Sequence, residues 1–379
     1  MKNTVLVTFL SIFLAFGAMA EKDKDNGLNG LTFDGPYDEA IVNGAIHLVA
    51  LQCDQGGWIW SHGSCSPGDT PPYNIISPIV DGLMAAYEVI DLSVFMNAMV
   101  KAGDYNLESE YGAGNARLYS QTALNLWHLS TLTGDNVYTD WVKASFYEKL
   151  LTGTYGAAEN LDTDAFIDNI RTSPSVSNLK AWEISSQVLA AERYCYQGIA
   201  DKFEQGTLDA LAALDNTDPA KGYDMIGLAG GVFALARVNR LSFPEILAPN
   251  HTSVNGETTL VGLADELVAL QNSNGSFYWL SGDALGIAPT IDNQDTQTTA
   301  YAVLALIKAQ ERLPNSNYLA AIEMGKQWLL TMQEADGGFM SYPGDTAYNA
   351  EVEAEAIQAL GAEGVYDRIF QSQLECYVN

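Results

Sequence analysis

The sequence predicts an all-α chain whose helices pair into six hairpins and close into a ring, one set inside and one outside. Three observations carry that prediction. Apolar residues recur through most of the chain at the three- and four-residue spacing of a helix with one buried face. Short polar or glycine-bearing connections break these segments at similar intervals. One connection also repeats: a Gln, a polar loop with Gly and then an aromatic residue stand at Gln52–Trp60, Gln271–Trp279 and Gln333–Tyr342. A helix–turn–helix unit cannot bury its apolar face alone, so copies of it must stack.

Residues 1–20 have one Lys near the start, an apolar run from Val5 to Phe16 and the small-residue end Ala18-Met19-Ala20, which is the pattern of a secretory signal peptide. The run is short for a membrane span, and no later segment is long and apolar enough for one. Residues 21–36 read as a flexible leader, and 37–379 as a single domain. Within it the periodicity predicts helices at 38–53, 73–90, 92–103, 117–132, 137–151, 179–196, 201–214, 223–238, 257–271, 296–310, 317–333 and 350–360. Six pairs without a polar capping repeat favour closure over an open solenoid.

The charge excludes two classes of partner. With 18 basic and 47 acidic residues the chain carries a formal net charge of −29. Nucleic acid and anionic membrane need Lys and Arg to meet their phosphates, so neither is a partner here. Such a surface leaves room for cations. A hydrophobic content of 47% excludes general disorder. The four cysteines of an exported chain imply disulfides. Cys53 and Cys65 bracket a short loop and are the favoured pair; Cys195 and Cys376 either pair or stay as thiols.

The three Gln–Gly–aromatic turns, with Asp295-Thr296 and the Thr299-Ala-Tyr-Ala-Val-Leu-Ala-Leu306 run, resemble the terpenoid cyclase and protein prenyltransferase superfamily. That resemblance implies an (α/α)6 toroid. It does not extend to the chemistry. Cyclases carry an Asp-x-Asp-Asp-Thr whose middle Asp protonates the substrate; Gln294 stands in that place, and an amide cannot donate the proton. The prenyltransferase zinc needs Asp, Cys and His on late inner helices, and the last two hairpins hold no His. A second resemblance covers the last 75 or so residues: Thr290-Ile291-Asp292-Asn293 and the Gly337-Gly338-Phe339 turn are similar to pectate lyases built on an α/α barrel. It implies a calcium ligand at Asp292.

In a ring of this kind the helix after each glycine turn lies inside, and its first turn faces the cavity mouth. Asp292, Gln294, Asp295 and Gln297 sit there in the fifth hairpin, and Tyr348, Asn349, Glu351 and Glu355 in the sixth. Glu351 and Glu355 are four apart, hence on one helical face, where like charges invite a cation or polar ligand. Asp292, Asp295, Glu351 and Glu355 are expected to converge and hold calcium; equally, acids at helix starts simply suit the macrodipole. Glu108, Glu110, Tyr111, Asn115, Arg117 and Tyr119 form another polar cluster, with Tyr111 and Arg117 as ligand-binding candidates or as loop packing. Trp58 and Trp60 can stack on sugars or pack between repeats. His62 and His251 lie in loops and carry no catalytic pattern.

Two functions follow. One is a secreted ring that binds a small molecule or polysaccharide in an acidic cavity without the ancestral catalysis. The other is a carbohydrate-active enzyme, a calcium-assisted uronate lyase.

Overall fold

The helical spacing is realised throughout. A computed structural model describes residues 32–60, 65–66, 68–108, 118, 121–156, 159–172, 179–212, 225–244, 253–254, 257–279, 294–345 and 349–362. In chain order the helices are α1 (Asp38–Ala50), α2 (Ile76–Val89, entered through a 3₁₀ turn), α3 (Ser93–Glu108) and α4 (Thr122–Thr133). Next comes α5, in which Val137–Val142, a π-helical turn Lys143–Tyr147 and Glu148–Thr152 run on as one rod. Then follow α6 (Thr163–Thr172), α7 (Lys180–Arg193), α8 (Gln197–Ala212), α9 (Met225–Arg237) and α10 (Leu260–Ala269). The last three are α11 (Thr296–Arg312), α12 (Ser316–Leu330) and α13 (Ala350–Gly361).

Six of these form an inner ring. α2, α4, α7, α9, α11 and α13 pack each on the next, and α13 returns to α2 and closes the circle. Their sequences explain their place. α9 reads MIGLAGGVFALAR and buries nearly every residue, its glycines and alanines letting neighbours approach on all sides. α11 is buried in the same way from Thr296 to Ala309. The outer helices α1, α3, α5, α8, α10 and α12 bury one face only. Trp182 on α7 stacks on Phe233 of α9 at 3.5 Å between centroids, and meets Tyr301 of α11 edge-on at 4.8 Å.

The repeated turns are staples between outer helices. Gln52 Nε2 donates to Gly56 O (2.8 Å) in its own turn and to Ala98 O (2.9 Å) on α3. Gln271 donates to Gly275 O (3.0 Å) and to Ala321 O (2.8 Å) on α12. Gln333 donates to Gly337 O (3.0 Å) and to Ala40 O (2.8 Å) on α1, so the last staple grips the first helix. Each turn glycine has positive φ and lies on the same neighbouring helix. A Cβ on Gly275 would fall 2.0 Å from Met324 O, and one on Gly56 2.2 Å from Lys101 O. The aromatic that follows, Trp58, Phe277 or Phe339, is fully buried.

The six hairpins stand as expected, with particular differences. α6 lies where the sequence predicts only a connection, so the third hairpin has two outer helices. Asp162 caps it through Ala165 N (2.9 Å), and Phe166, Ile167 and Ile170 bury its inner face. Glu257–Thr259, expected to open a helix, form β3 of a three-stranded antiparallel sheet with β1 (Ser242–Phe243) and β2 (Ser253–Val254), in the order β1-β3-β2. The helix begins three residues later than expected, at Leu260, because Thr259 Oγ1 accepts from Gly262 N and caps it. Trp58, read as a possible sugar platform, is core: its Nε1 donates to Leu48 O (2.7 Å). Cys53 and Cys65 are joined, with Cα atoms 5.4 Å apart. Cys195 is disulfide-bonded as well, and Cys376 lies outside the described residues.

Candidate functional site at the mouth of the inner ring

The N-terminal ends of the inner helices gather the polar groups. Asp295 is the N-cap of α11, its Oδ1 accepting from Thr298 N (2.7 Å) and Thr298 Oγ1 (2.6 Å). Asn349 caps α13 through Glu351 N (3.0 Å). In the first turn of α13, Glu351 accepts from Trp60 Nε1 (2.9 Å), which reaches across from the first glycine turn. A further turn in, Glu355 is 1% exposed and neither of its carboxylate oxygens makes a close hydrogen bond. Gln297 and Tyr301 of α11 face it closely enough to act on its proton.

The electrostatics follow from burial. Loss of water pushes the Glu355 carboxyl well above the usual carboxylate range, and the nearby charge of Glu351 pushes it further; Tyr301 and Gln297 offset part of this. Burial raises Glu351 to about 7 against the bond from Trp60. Burial also raises Asp295, and its Thr298 contacts pull the other way. Tyr301 is held well above its usual value by burial and by Glu355 and Glu351, with Glu183 of α7 contributing, so it stays a phenol. Burial and the charge of Glu351 thus favour the proton on Glu355, next to a Glu351 raised to about 7.

Aromatic side chains frame this mouth. The exposed ones among the described residues are Trp60 (46%), Trp279 (60%) and Tyr342 (47%), and each follows one of the three glycine turns. Trp60 binds Glu351. The segment carrying Trp279 lies on α11 and α9, with Asp295 N on Phe277 O (3.1 Å) and Met225 N on Trp279 O (3.4 Å). The segment before Tyr342 lies on α11 through Thr296 N and Ser341 O (2.9 Å).

Of the residues singled out in the sequence, Asp295, Glu351 and Glu355 are electrostatically linked at one mouth. Gln294 is buried and structural: its Oε1 accepts from Asn274 Nδ2 (3.2 Å), and it bridges Tyr278. Asp292, Tyr348, Tyr111 and Arg117 lie outside the described residues, as do His62 and His251. Of the four carboxylates expected to hold calcium, Asp295 is engaged as a cap, Glu351 is turned to Trp60 and Asp292 lies outside the described residues; no three His, Cys, Asp or Glu among the described residues are grouped to hold a metal. Tyr301, Glu183, Trp279 and Tyr342 were not singled out. Tyr301 was findable as the residue four after Gln297, on the same face.

No protein-family profile and no curated protein matches this chain. Solved structures do. A possible member of the GH105 family from Klebsiella pneumoniae subsp. pneumoniae MGH 78578 matches with a TM-score of 0.58 at 12% identity, over 87% of this chain and 94% of that one. The GH76A α-1,6-mannanase from Salegentibacter sp. HEL1_6 matches with 0.54 at 8%, over 87% and 99%. A polysaccharide lyase matches with 0.54 at 13%, over 89% and 98%. These likenesses show the fold, an α/α toroid. They are to glycan-acting proteins, a class related to the one the turns resemble.

Proposed function

We propose that this chain is an exported carbohydrate-active enzyme that lays a glycan across the aromatic-framed mouth of the inner ring and hydrolyses a glycosidic bond with Glu351 and Glu355. The observation that carries the reading is Glu355, a buried carboxyl with no close hydrogen bond and only Tyr301 and Gln297 beside it, next to a second carboxyl of raised pKa. Buried carboxyls without close hydrogen bonds are rare in folded proteins, and glycoside hydrolysis employs a pair of carboxyls, one of them an acid of raised pKa. Trp60, Trp279 and Tyr342 offer faces for sugar rings. The fold likeness to glycan-acting toroids supports the substrate class. The signal-like start and the Cys53–Cys65 bridge support export.

The chemistry follows from the two protonation states. Glu355 gives its proton to the glycosidic oxygen as the C–O bond breaks. Ionised Glu351 takes a proton from the water whose oxygen bonds to the anomeric carbon. Two sugars leave, and exchange with solvent resets the pair. Tyr301 and Gln297 orient Glu355, and Trp60 orients Glu351.

The test is release of reducing ends from α-1,6-mannan and from uronate-containing oligosaccharides. Turnover that is lost in both Glu351→Gln and Glu355→Gln supports the reading. Turnover that survives both substitutions overturns it, and binding without turnover returns the chain to a glycan-binding ring. Unsaturated, ultraviolet-absorbing products appearing only with added calcium would instead favour the lyase.

A further inference from the structure

The C-terminal ends of the inner helices form the base of the ring, opposite the acidic mouth. There α7 closes on a cysteine where a glycine is usual. Cys195 takes φ +66°, the left-handed conformation that ends a helix, with its N–H on Glu192 O (3.0 Å) and Tyr196 N on Ala191 O (2.9 Å). A β-carbon opposes that conformation, so the residue is explained by what its sulfur holds. Cys195 is exposed and disulfide-bonded. The chain has four cysteines, and Cys53 and Cys65 hold each other, which leaves Cys376 as the partner.

Cys376 stands fourteen positions beyond Ala362, the last described residue after α13. That exit is fixed in place: Lys326 Nζ of α12 donates to Leu360 O (2.9 Å) and Ala362 O (3.1 Å). α7 and α13 are the third and sixth helices of the inner ring, hence opposite each other across its axis. Packed helices stand about 8–10 Å apart, so opposite members of a ring of six are about 16–20 Å apart. Fourteen residues reach about 20 Å even at helical rise, and more than twice that when extended. Between the two ends lies a cavity bordered by Leu189 and Arg193 of α7, Phe233 of α9, Ile307 of α11, and Gln358 and Ala362 at the end of α13. The stretch from Ala362 to Cys376 carries Val365, Tyr366, Ile369, Phe370 and Leu374, at the spacing that gives a segment one apolar side.

We infer that Cys195 is bridged to Cys376 and that residues 363–376 cross the base of the ring as a strap, apolar side on the cavity wall, which closes the axis at the end opposite the mouth. Forming the bond passes two protons and two electrons to the thiol oxidant that also makes the Cys53–Cys65 bond. Its exposed end at Cys195, against a buried Cys53, makes it the first of the two to be reduced. Peptide mapping without reductant should recover Cys195 linked to Cys376. In the oxidised full chain trypsin should spare the peptide bond after Arg368. After mild dithiothreitol that leaves Cys53–Cys65 intact, cleavage there should be about tenfold faster or more, because the strap then opens without the ring. Cys376→Ser should be cut as fast with no reductant and should bind more of an apolar-surface dye. Should that variant fail to fold by circular dichroism, mild reduction of the folded wild type makes the same comparison. Cys195 found as a thiol, or joined to any other cysteine, overturns the bridge, and equal cleavage after Arg368 with and without the bond overturns the strap.

Discussion

At the scale of single residues, Glu355 is a carboxyl kept neutral where a Leu or Gln would be more stable. Glu355→Gln should therefore split two readouts: glycan turnover falls about 10²–10⁴-fold, the usual range for a lost proton donor, while Tm at pH 8 rises above wild type because no buried charge has to form. A merely structural Glu355 would leave turnover in place. The pH profile belongs to the pair rather than to either group. Activity should rise as pH passes about 7, where Glu351 ionises, and fall at higher pH as Glu355, held well above the carboxylate range, loses its proton. A profile already flat through pH 5 to 7 would contradict that assignment. The two glutamates were legible because a four-residue spacing on a helix fixes a shared face. The role of Asp295 was not legible, since a helix cap and a metal ligand look alike in a string of letters. Only the 2.7 Å contact to Thr298 N separates them.

At the scale of elements, the three staples explain why the first, fifth and sixth hairpins could be recognised and the middle could not. A Gln that satisfies two carbonyls and a Gly pressed on a neighbour's backbone are fixed by geometry, whereas the other hairpins meet through apolar faces that many side chains fill equally well. α6 escaped notice for a related reason. It is short and mostly polar, and only Phe166, Ile167 and Ile170 mark its buried side. Gln333→Ala should cost about 1–3 kcal/mol in denaturant unfolding, since it leaves Ala40 O and Gly337 O without their donor. Gly275→Ala should cost about 2 kcal/mol or more, because φ of +96° and the 2.0 Å approach to Met324 O both oppose a side chain. Equal stability of Gly275→Ala and wild type would remove the staple from the account.

At the scale of the molecule, buried acids set the response to pH. Asp81 is raised to about 8, by burial against the pull of Arg237 and Asn125. Glu88 is raised to about 7 by burial, and Glu353 to about 7 by burial against its bond from His47. Folded groups with raised pKa hold protons that the unfolded chain has already released, so the stability they contribute is complete below about pH 4 and is lost as pH climbs towards 8. Melting should therefore occur several degrees higher at pH 5 than at pH 8, and the reverse order would mean that these acids are ionised in the fold. Closure of the ring also has a consequence in time. Helix α13 must lie between α11 and α2, and Gln333 must reach Ala40, yet these leave the ribosome long after α1 and α2. An open stack can fold as it emerges, repeat by repeat. This ring cannot: until its sixth hairpin arrives, the faces of α1 and α2 that await it stay bare, so the nascent ring needs shelter until that hairpin is made, and a premature stop before it would yield an open, sticky arc rather than a shorter ring.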